Sequence, residues 1–435
     1  MQSKHICSLQ KGSIFFKLLL LAFIVSLSAP VQAQEEHKYG DFTIDAQLRA
    51  RGEYRNGQGK LRSKGDKPAW FINERARLGF GWERKIISLK FSAQHTGVWG
   101  DESQTSSKGN LSINEAWAQL KFCKGAFVKL GRQVLSYDDE RLFGALDWAV
   151  TGRSHDALTI GYNGMAHQVH GIIAFNQNKE ATIGGTYYDN VALYKNMQMV
   201  WYHFSGNNNP FQISALVMNQ GVEDASAKDN ATSKTRYMQT LGTHMTYKGG
   251  HVNAHGSAYF QTGKDKTNAS VSAWMASAGV RYQVAEPLSL SVGEDYISGS
   301  DGTSDKNKTF NVLYGTHHKF YGAMDYFNNA TMPVCGLSDT YLTAAINACK
   351  KVDLSATYHY MATGVKVKDL GRTLGHEVDL QINWRVVKDV TVQGGYSMMF
   401  ATETMEVFKG GNHKSWQDWA WLSVNINPRI FSTKK

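Results

Sequence analysis

Residues 129–156 hold the densest set of ionisable groups in the chain. Lys129, Arg132, Arg141 and Arg153 stand against Asp138, Asp139, Glu140, Asp147 and Asp156. Guanidinium and carboxylate groups this close can pair with one another, or the arginines can hold anionic groups of a passing solute. Acid–base or nucleophilic chemistry would instead need a paired-carboxylate or Ser–His arrangement. Asp138 and Asp139 with His155 come nearest to that, and no serine motif accompanies them. What these charges do depends on the elements that carry them.

Those elements are written in period 2. In residues 42–54, Phe42, Ile44, Ala46, Leu48, Ala50 and Tyr54 fall on one face, and Asp45, Gln47, Arg49, Arg51 and Glu53 on the other. Successive strand side chains point to opposite faces, so this is a strand with one apolar and one charged side. The pattern returns at 70–82 and 374–386. The six prolines fall in the leader (Pro30) or at or beyond strand ends (Pro68, Pro210, Pro287, Pro333, Pro428), as residues without an N–H should.

The first 33 residues have the layout of an export signal. Lys4, Lys11 and Lys17 flank an apolar core from Leu18 to Leu27, and Val31-Gln32-Ala33 fits a small-residue cleavage site. Removing them takes the net charge from +10 to +7, because the segment holds three lysines and no acid. For an exported chain that excess suits lipopolysaccharide phosphates or an acidic polymer better than nucleic acid. Period-2 strands behind an export signal predict an all-β chain. Residues 34–435 are expected to form one transmembrane antiparallel barrel in the outer membrane of a Gram-negative bacterium, with lipid on its apolar face and a polar lumen.

Short and long connections alternate along the chain. The long ones, at 55–69, 99–110, 136–153, 177–189, 221–233, 263–269, 364–372 and 402–415, are rich in Gly, Asn, Ser, Asp and Lys. Residues 222–234 read as too polar to order themselves. Thirteen strands fit before Gly299 and five between Ser338 and Asn427. Both termini of such a barrel lie in the periplasm, so the count is even. Residues 300–337 therefore read as one long excursion and not as a wall strand, the competing reading being a hairpin within it that gives twenty strands. Its Phe and Tyr content predicts packing over or into the barrel mouth. The charged segment 136–156, between a rising and a falling strand, is expected to enter the pore in the same way, since ionic groups at membrane depth must pair or meet water.

The run GRQ at 131–133, YDDERLFG at 137–144, LDW at 146–148 and the GR and HDA pieces at 152–157 resembles the signature of the alginate-export family of outer-membrane barrels. LYGTHHKFYGAMDYF (313–327) and LGHEVDLQINW (374–384) are similar to two further stretches of that family. The resemblance runs from about Arg49 to Asn427, with 165–285 matching in barrel texture only. It implies a monomeric eighteen-stranded pore with an arginine-lined lumen that passes an anionic polysaccharide. On that resemblance Arg132, Asp138, Asp139, Arg141, Asp147, Arg153 and Asp156 are constriction candidates. Arg141 and Arg153 would contact the sugar, and Asp138, Asp139 and Asp147 would hold them. The period-2 ladders add Arg49, Arg51, Arg75, Arg77 and Arg385. On the same faces stand Asp45, Glu53, Glu377 and Asp379, which makes an interlocked network and not a uniformly positive field.

No cofactor or metal is expected. Histidines 155, 317, 318, 359 and 376 lack a ligand spacing. Cys335 and Cys349 would lie ~45 Å apart along an extended strand, beyond disulfide reach, and Cys123 sits in a short turn. The chain end after Ile426 reads as a frayed tail.

Overall fold

The computed structural model describes residues 39–105, 109–183, 185–190, 193–328 and 330–434. The export segment lies outside the described residues. Eighteen long strands follow in chain order: β1 (Asp41–Asn56), β2 (Ala69–Arg84), β3 (Ile87–Val98), β4 (Leu111–Lys121), β5 (Ala126–Gln133), β6 (His155–Asn163), β7 (His167–Phe175), β8 (Asn196–Ser205) and β9 (Phe211–Glu223). The second half holds β10 (Thr235–Gly249), β11 (Val252–Lys264), β12 (Ser270–Gln283), β13 (Leu288–Ile297), β14 (Leu337–Cys349), β15 (Val352–Ala362), β16 (Thr373–Val387), β17 (Val390–Ala401) and β18 (Gln417–Ile426). Each pairs antiparallel with its neighbour in sequence. β18 closes on β1, with Leu48 opposite Ile426 and Asn56 opposite Asp418.

The predicted faces set this closure. Leu48, Leu78, Leu130, Val217, Val292, Leu342, Leu380 and Leu422 are exposed on the outer wall. Trp70, Trp99, Trp274 and Trp416 stand near the end with long connections, called upper below. Phe91, Tyr162, Phe211, Tyr282 and Trp384 stand near the end with short turns, and the two sets give the aromatic girdles of a membrane barrel. Arg51, Glu53, Arg75, Gln94 and Glu377 are buried inside.

An eighteen-stranded wall encloses more space than its own side chains can fill, and two excursions occupy it. Residues 298–336 add no strand to the wall. Phe310, Val312, Leu313, Tyr314, Tyr321, Met324, Tyr326 and Phe327 are each at most 3 % exposed. They pack against wall residues such as Met197, Met218, Met275 and Trp419. Residues 134–154 fold inward where β5–β7 are only 8 or 9 residues long. The two excursions meet through a parallel bridge, Phe143 to Tyr314, and the N–H of Thr316 bonds the Glu140 carbonyl. Gly315 makes this contact possible: a Cβ there would lie 2.1 Å from the Arg141 carbonyl oxygen. A short helix α1 (Glu403–Lys409), capped by the Thr402 side chain, covers the other side.

Three expectations are corrected. The tail is not frayed: Arg429–Ser432 form a short β19 that pairs with β1 beyond Pro428, and Phe431 packs on Phe42 at 6.1 Å between ring centroids. Residues 224–234 are ordered, because the buried Glu223 carboxylate accepts from the Lys234 N–H, Ser233 and Lys195. The third concerns Arg132 and Asp156. They pair with each other at 3.2 Å on the outward face, with the same parity as exposed Leu130 and with Leu158. Their charge belongs to the wall near its upper rim, because the strand period continues through both residues.

Cys335 is buried, Cys349 is exposed, and both are free; the Cys123 side chain is outside the described part.

Candidate functional site: the charged lumen

Arg49, Arg51, Arg75 and Arg77 rise side by side from β1 and β2, since Arg49 lies opposite Arg75 and Gln47 opposite Arg77 in register. Four like charges in one patch require anions or carbonyls, and the inward loop supplies them. Arg49 Nη1 donates to the Asp147 carbonyl at 2.6 Å and its Nη2 to the Ala149 carbonyl at 3.0 Å. Arg51 donates to the Trp148 carbonyl at 2.8 Å and to Glu53 at 2.8 Å, and its guanidinium lies 3.8 Å from the Trp148 ring centroid. Arg75, fully buried, donates to Asp147 Oδ1 at 2.6 Å. Arg77 bonds Gln94 and Asn114. Partial enclosure would raise the Asp147 carboxyl, but Arg75, Arg49 and Arg77 outweigh it and hold it below the usual carboxylate value. Its side chain is 66 % exposed and faces a cavity of about 710 Å3 of mixed charge, lined by Arg77, Lys90, Lys388 and Arg429 and by Asp45, Glu115 and Asp389, with Asp45 paired to Arg429 at 2.9 Å.

A second cluster lies at mid-barrel. Arg141, 1 % exposed, pairs with Asp295 at 2.9 Å and Asp139 at 3.1 Å and stacks over Phe320 at 4.0 Å. Burial works against its charge, but Asp295 and then Tyr321 and Asp139 raise its pKa further above the guanidinium value. Asp138 is held by Ser214 at 2.6 Å and Trp201 at 3.1 Å, and burial pushes its carboxyl up. His359 lies between Asp339 at 2.9 Å and Asp379 at 3.5 Å. Arg153 donates to the Gly315 carbonyl at 2.9 Å.

The division of labour therefore differs from the one the resemblance implies. Arg141 and Arg153 are consumed by buried partners, and Asp147 engages Arg75 and Arg49, not Arg141 or Arg153. Asp138 touches no arginine. Arg385 sits apart, paired with Asp353 at 3.0 Å near the lower turns with its side chain 46 % exposed, so it belongs to the rim. The histidines act as hydrogen-bonding ring groups. His155 bonds Tyr194 at 2.7 Å, His317 the Val312 carbonyl, His318 Asp325, and His376 Tyr358. Sequence reading missed Lys90, Lys388, Arg429, Asp295, Asp339 and Trp148. The alternation of β3, β13 and β14 carries the signal for Lys90, Asp295 and Asp339; nothing local carries it for Trp148, whose neighbours come from β1, β18 and the 298–336 excursion, where His318 stacks on it at 3.9 Å.

Among curated proteins, none matches this chain in sequence. Solved outer-membrane barrels of Pseudomonas aeruginosa share its fold. OccK2 (OpdF) in complex with glucuronate aligns with a TM-score of 0.60 at 12 % identity, over 91 % of this chain and 100 % of that one. The outer membrane protein OpdK gives 0.60 at 8 % identity over 89 % and 98 %, and OpdQ 0.56 at 13 % over 90 % and 98 %. The family model for alginate export matches residues 41–414. An inward-folded charged loop, a closed eighteen-stranded wall and that match together place the chain in the alginate export family, as a porin-like barrel of the Gram-negative outer membrane.

Proposed function

We propose that this barrel passes acidic or polar oligosaccharides by passive diffusion, as a monomer embedded in lipid and lipopolysaccharide. The observation that carries the reading is the state of the arginine cluster. Arg75 is fully buried and the Arg49 side chain 11 % exposed, yet the Asp147 carboxylate that bridges them faces the lower cavity. A carboxylate arriving from that cavity can replace it on the same two guanidiniums. Family membership and the fold shared with a barrel solved with glucuronate support a sugar acid as the solute.

Enzymatic chemistry has little support. Ser257 Oγ lies 2.8 Å from His244 Nδ1, but Asp139 approaches that same nitrogen at 3.9 Å, whereas a relay needs the carboxylate on the opposite ring nitrogen. A second reading, a packed barrel without a transport role, is favoured by the apolar cluster that Phe310, Tyr314, Tyr321, Tyr326 and Phe327 form in the upper lumen.

Planar-bilayer recording under a KCl gradient separates these readings. The parent should conduct, and Asp147→Asn should shift the reversal potential toward anions by leaving Arg49 and Arg75 uncompensated. A parent that never conducts supports the packed barrel. A reversal potential unmoved by Asp147→Asn would detach the arginine cluster from the passage.

A further inference from the structure

The tip of the inward loop is a closed strap. The Ala149 N–H bonds the Leu146 carbonyl, the Gly152 N–H the Ala149 carbonyl, and the Arg153 N–H the Ala145 carbonyl, so residues 145–153 return on themselves. Leu146 and Gly152 both take left-handed φ values, +50° and +69°. Among the described residues no backbone group of the wall bonds this strap. Wall side chains hold it instead. Arg49 bonds the carbonyls of Asp147 and Ala149, Arg51 that of Trp148, and Gln94 that of Thr151 at 2.8 Å. Arg75 adds the Asp147 carboxylate.

The Trp148 ring is held as well. It touches the Arg51 guanidinium at 3.8 Å and the His318 ring at 3.9 Å, nearly parallel to the latter at 11°, with Trp421 edge-on at 4.8 Å. Asp147 and Trp148 are neighbours in sequence, yet they line different spaces. Asp147 lines the lower cavity. Trp148 lines a mid-barrel cavity of about 730 Å3, whose charged lining mixes Asp139, Asp295 and Asp339 with Arg141, Lys319 and His359. The strap therefore stands between the two cavities.

The donors that clip the strap are the guanidiniums that an arriving carboxylate would take. A guanidinium bonds a carboxylate more strongly than a neutral carbonyl. Strap and solute thus compete for Arg49 and Arg75, and a ligand that binds one state of a protein better moves the balance toward that state. We propose that the strap 145–153 is a solute-operated gate. A carboxylate that takes Arg49 and Arg75 from Asp147 and the neighbouring carbonyls unclips the strap, draws Trp148 from its place beside Arg51 and His318, and joins the lower cavity to the mid-barrel one. Ions and small solutes pass beside the clipped strap, whereas an oligosaccharide needs it moved. Such release rests on the arginines being the anion site proposed above, and it adds regulation to that site.

The rate at which a cysteine on the strap reacts tests the gate. Ala149→Cys is placed in the mature barrel with Cys123, Cys335 and Cys349 replaced by alanine. Labelling by a water-soluble maleimide is timed with and without monomeric glucuronate, whose binding to the same protein is measured by calorimetry. Saturating glucuronate should speed labelling about tenfold, the equivalent of one charge-assisted hydrogen bond exchanged, and glucose should leave the rate unchanged. Adding Trp148→Ala or Asp147→Asn should raise the rate without glucuronate and shrink the further gain from it. Glucuronate that binds but leaves labelling unchanged, or slows it, would overturn the gate and leave the arginine site standing, because the anion then sits on a strap that stays in place. Equal acceleration by glucose would overturn it too. Absence of glucuronate binding counts against the proposed function itself, and the gate falls with it.

Discussion

Arg141 shows how little a residue type says about its role. In the sequence it is one of several arginines in a charged run; in the barrel it is a buried ion joining Asp139 of its own loop to Asp295 of β13. Removing one member of such a network strands the others without water. Arg141→Ala should cost about 3–5 kcal/mol, read as a lower urea midpoint in detergent; an unchanged midpoint would mean that water reaches these carboxylates. Asp147 behaves differently because its side chain is exposed. Its carboxyl is held below the usual value of 3.8 by Arg75, Arg49 and Arg77 against the opposing effect of partial enclosure. A depressed carboxyl contributes its link above its unfolded value and loses it as pH falls through the folded one. Ion selectivity should therefore stay constant from pH 7 to about pH 5 and move toward anions only below about pH 4. A shift already complete at pH 5 would contradict the Arg–Asp147 geometry. Period 2 identified which side chains point inward, since Arg49, Arg51, Arg75 and Arg77 follow directly from alternation. It could not say what they touch, because Asp147, Trp148 and Ala149 arrive from a loop about 100 residues away in sequence. Arg132 and Asp156 differ for a related reason: each is the second residue in from its strand's end, where the strand period and not the loop's chemistry sets the direction of the side chain.

At the scale of elements, the excursion 298–336 is the main determinant of the lumen. Parity excluded it from the wall, and its aromatics argued that it packs. Its partners, methionines of β8, β9 and β12, could not be read, because a methionine facing a lumen and one facing lipid look alike in a period-2 pattern. Its stability comes from burial: Phe310, Tyr314, Tyr326 and Phe327 are nearly all removed from water, each worth roughly 1.5–3 kcal/mol. Replacing 301–333 by a short Gly/Ser linker should leave the eighteen-stranded wall assembled, as read by its β-sheet circular dichroism, and raise single-channel conductance several-fold. A shortened protein that fails to assemble would make the excursion part of the folding unit and not a filling of a pre-formed wall.

At the scale of the molecule, the wall was legible almost strand by strand, because lipid imposes one rule on every outward residue. The interior was legible only in kind. The lumen answers to no single solvent: a packed aromatic core narrows its upper part, paired ions line its middle, and mixed charge its lower mouth. That order leaves the arginine cluster and the acid-lined cavity below the packed core. In the proposed function a sugar acid crosses by way of the arginines. The most direct measurement is flux of a glucuronate oligomer from proteoliposomes holding the purified barrel, compared with the variant Arg49→Gln, Arg75→Gln, Arg77→Gln. Flux through the parent and a loss of at least tenfold in the variant are expected, while a small uncharged solute crosses both at similar rates. Equal glucuronate flux through parent and variant, with both barrels folded, would contradict it.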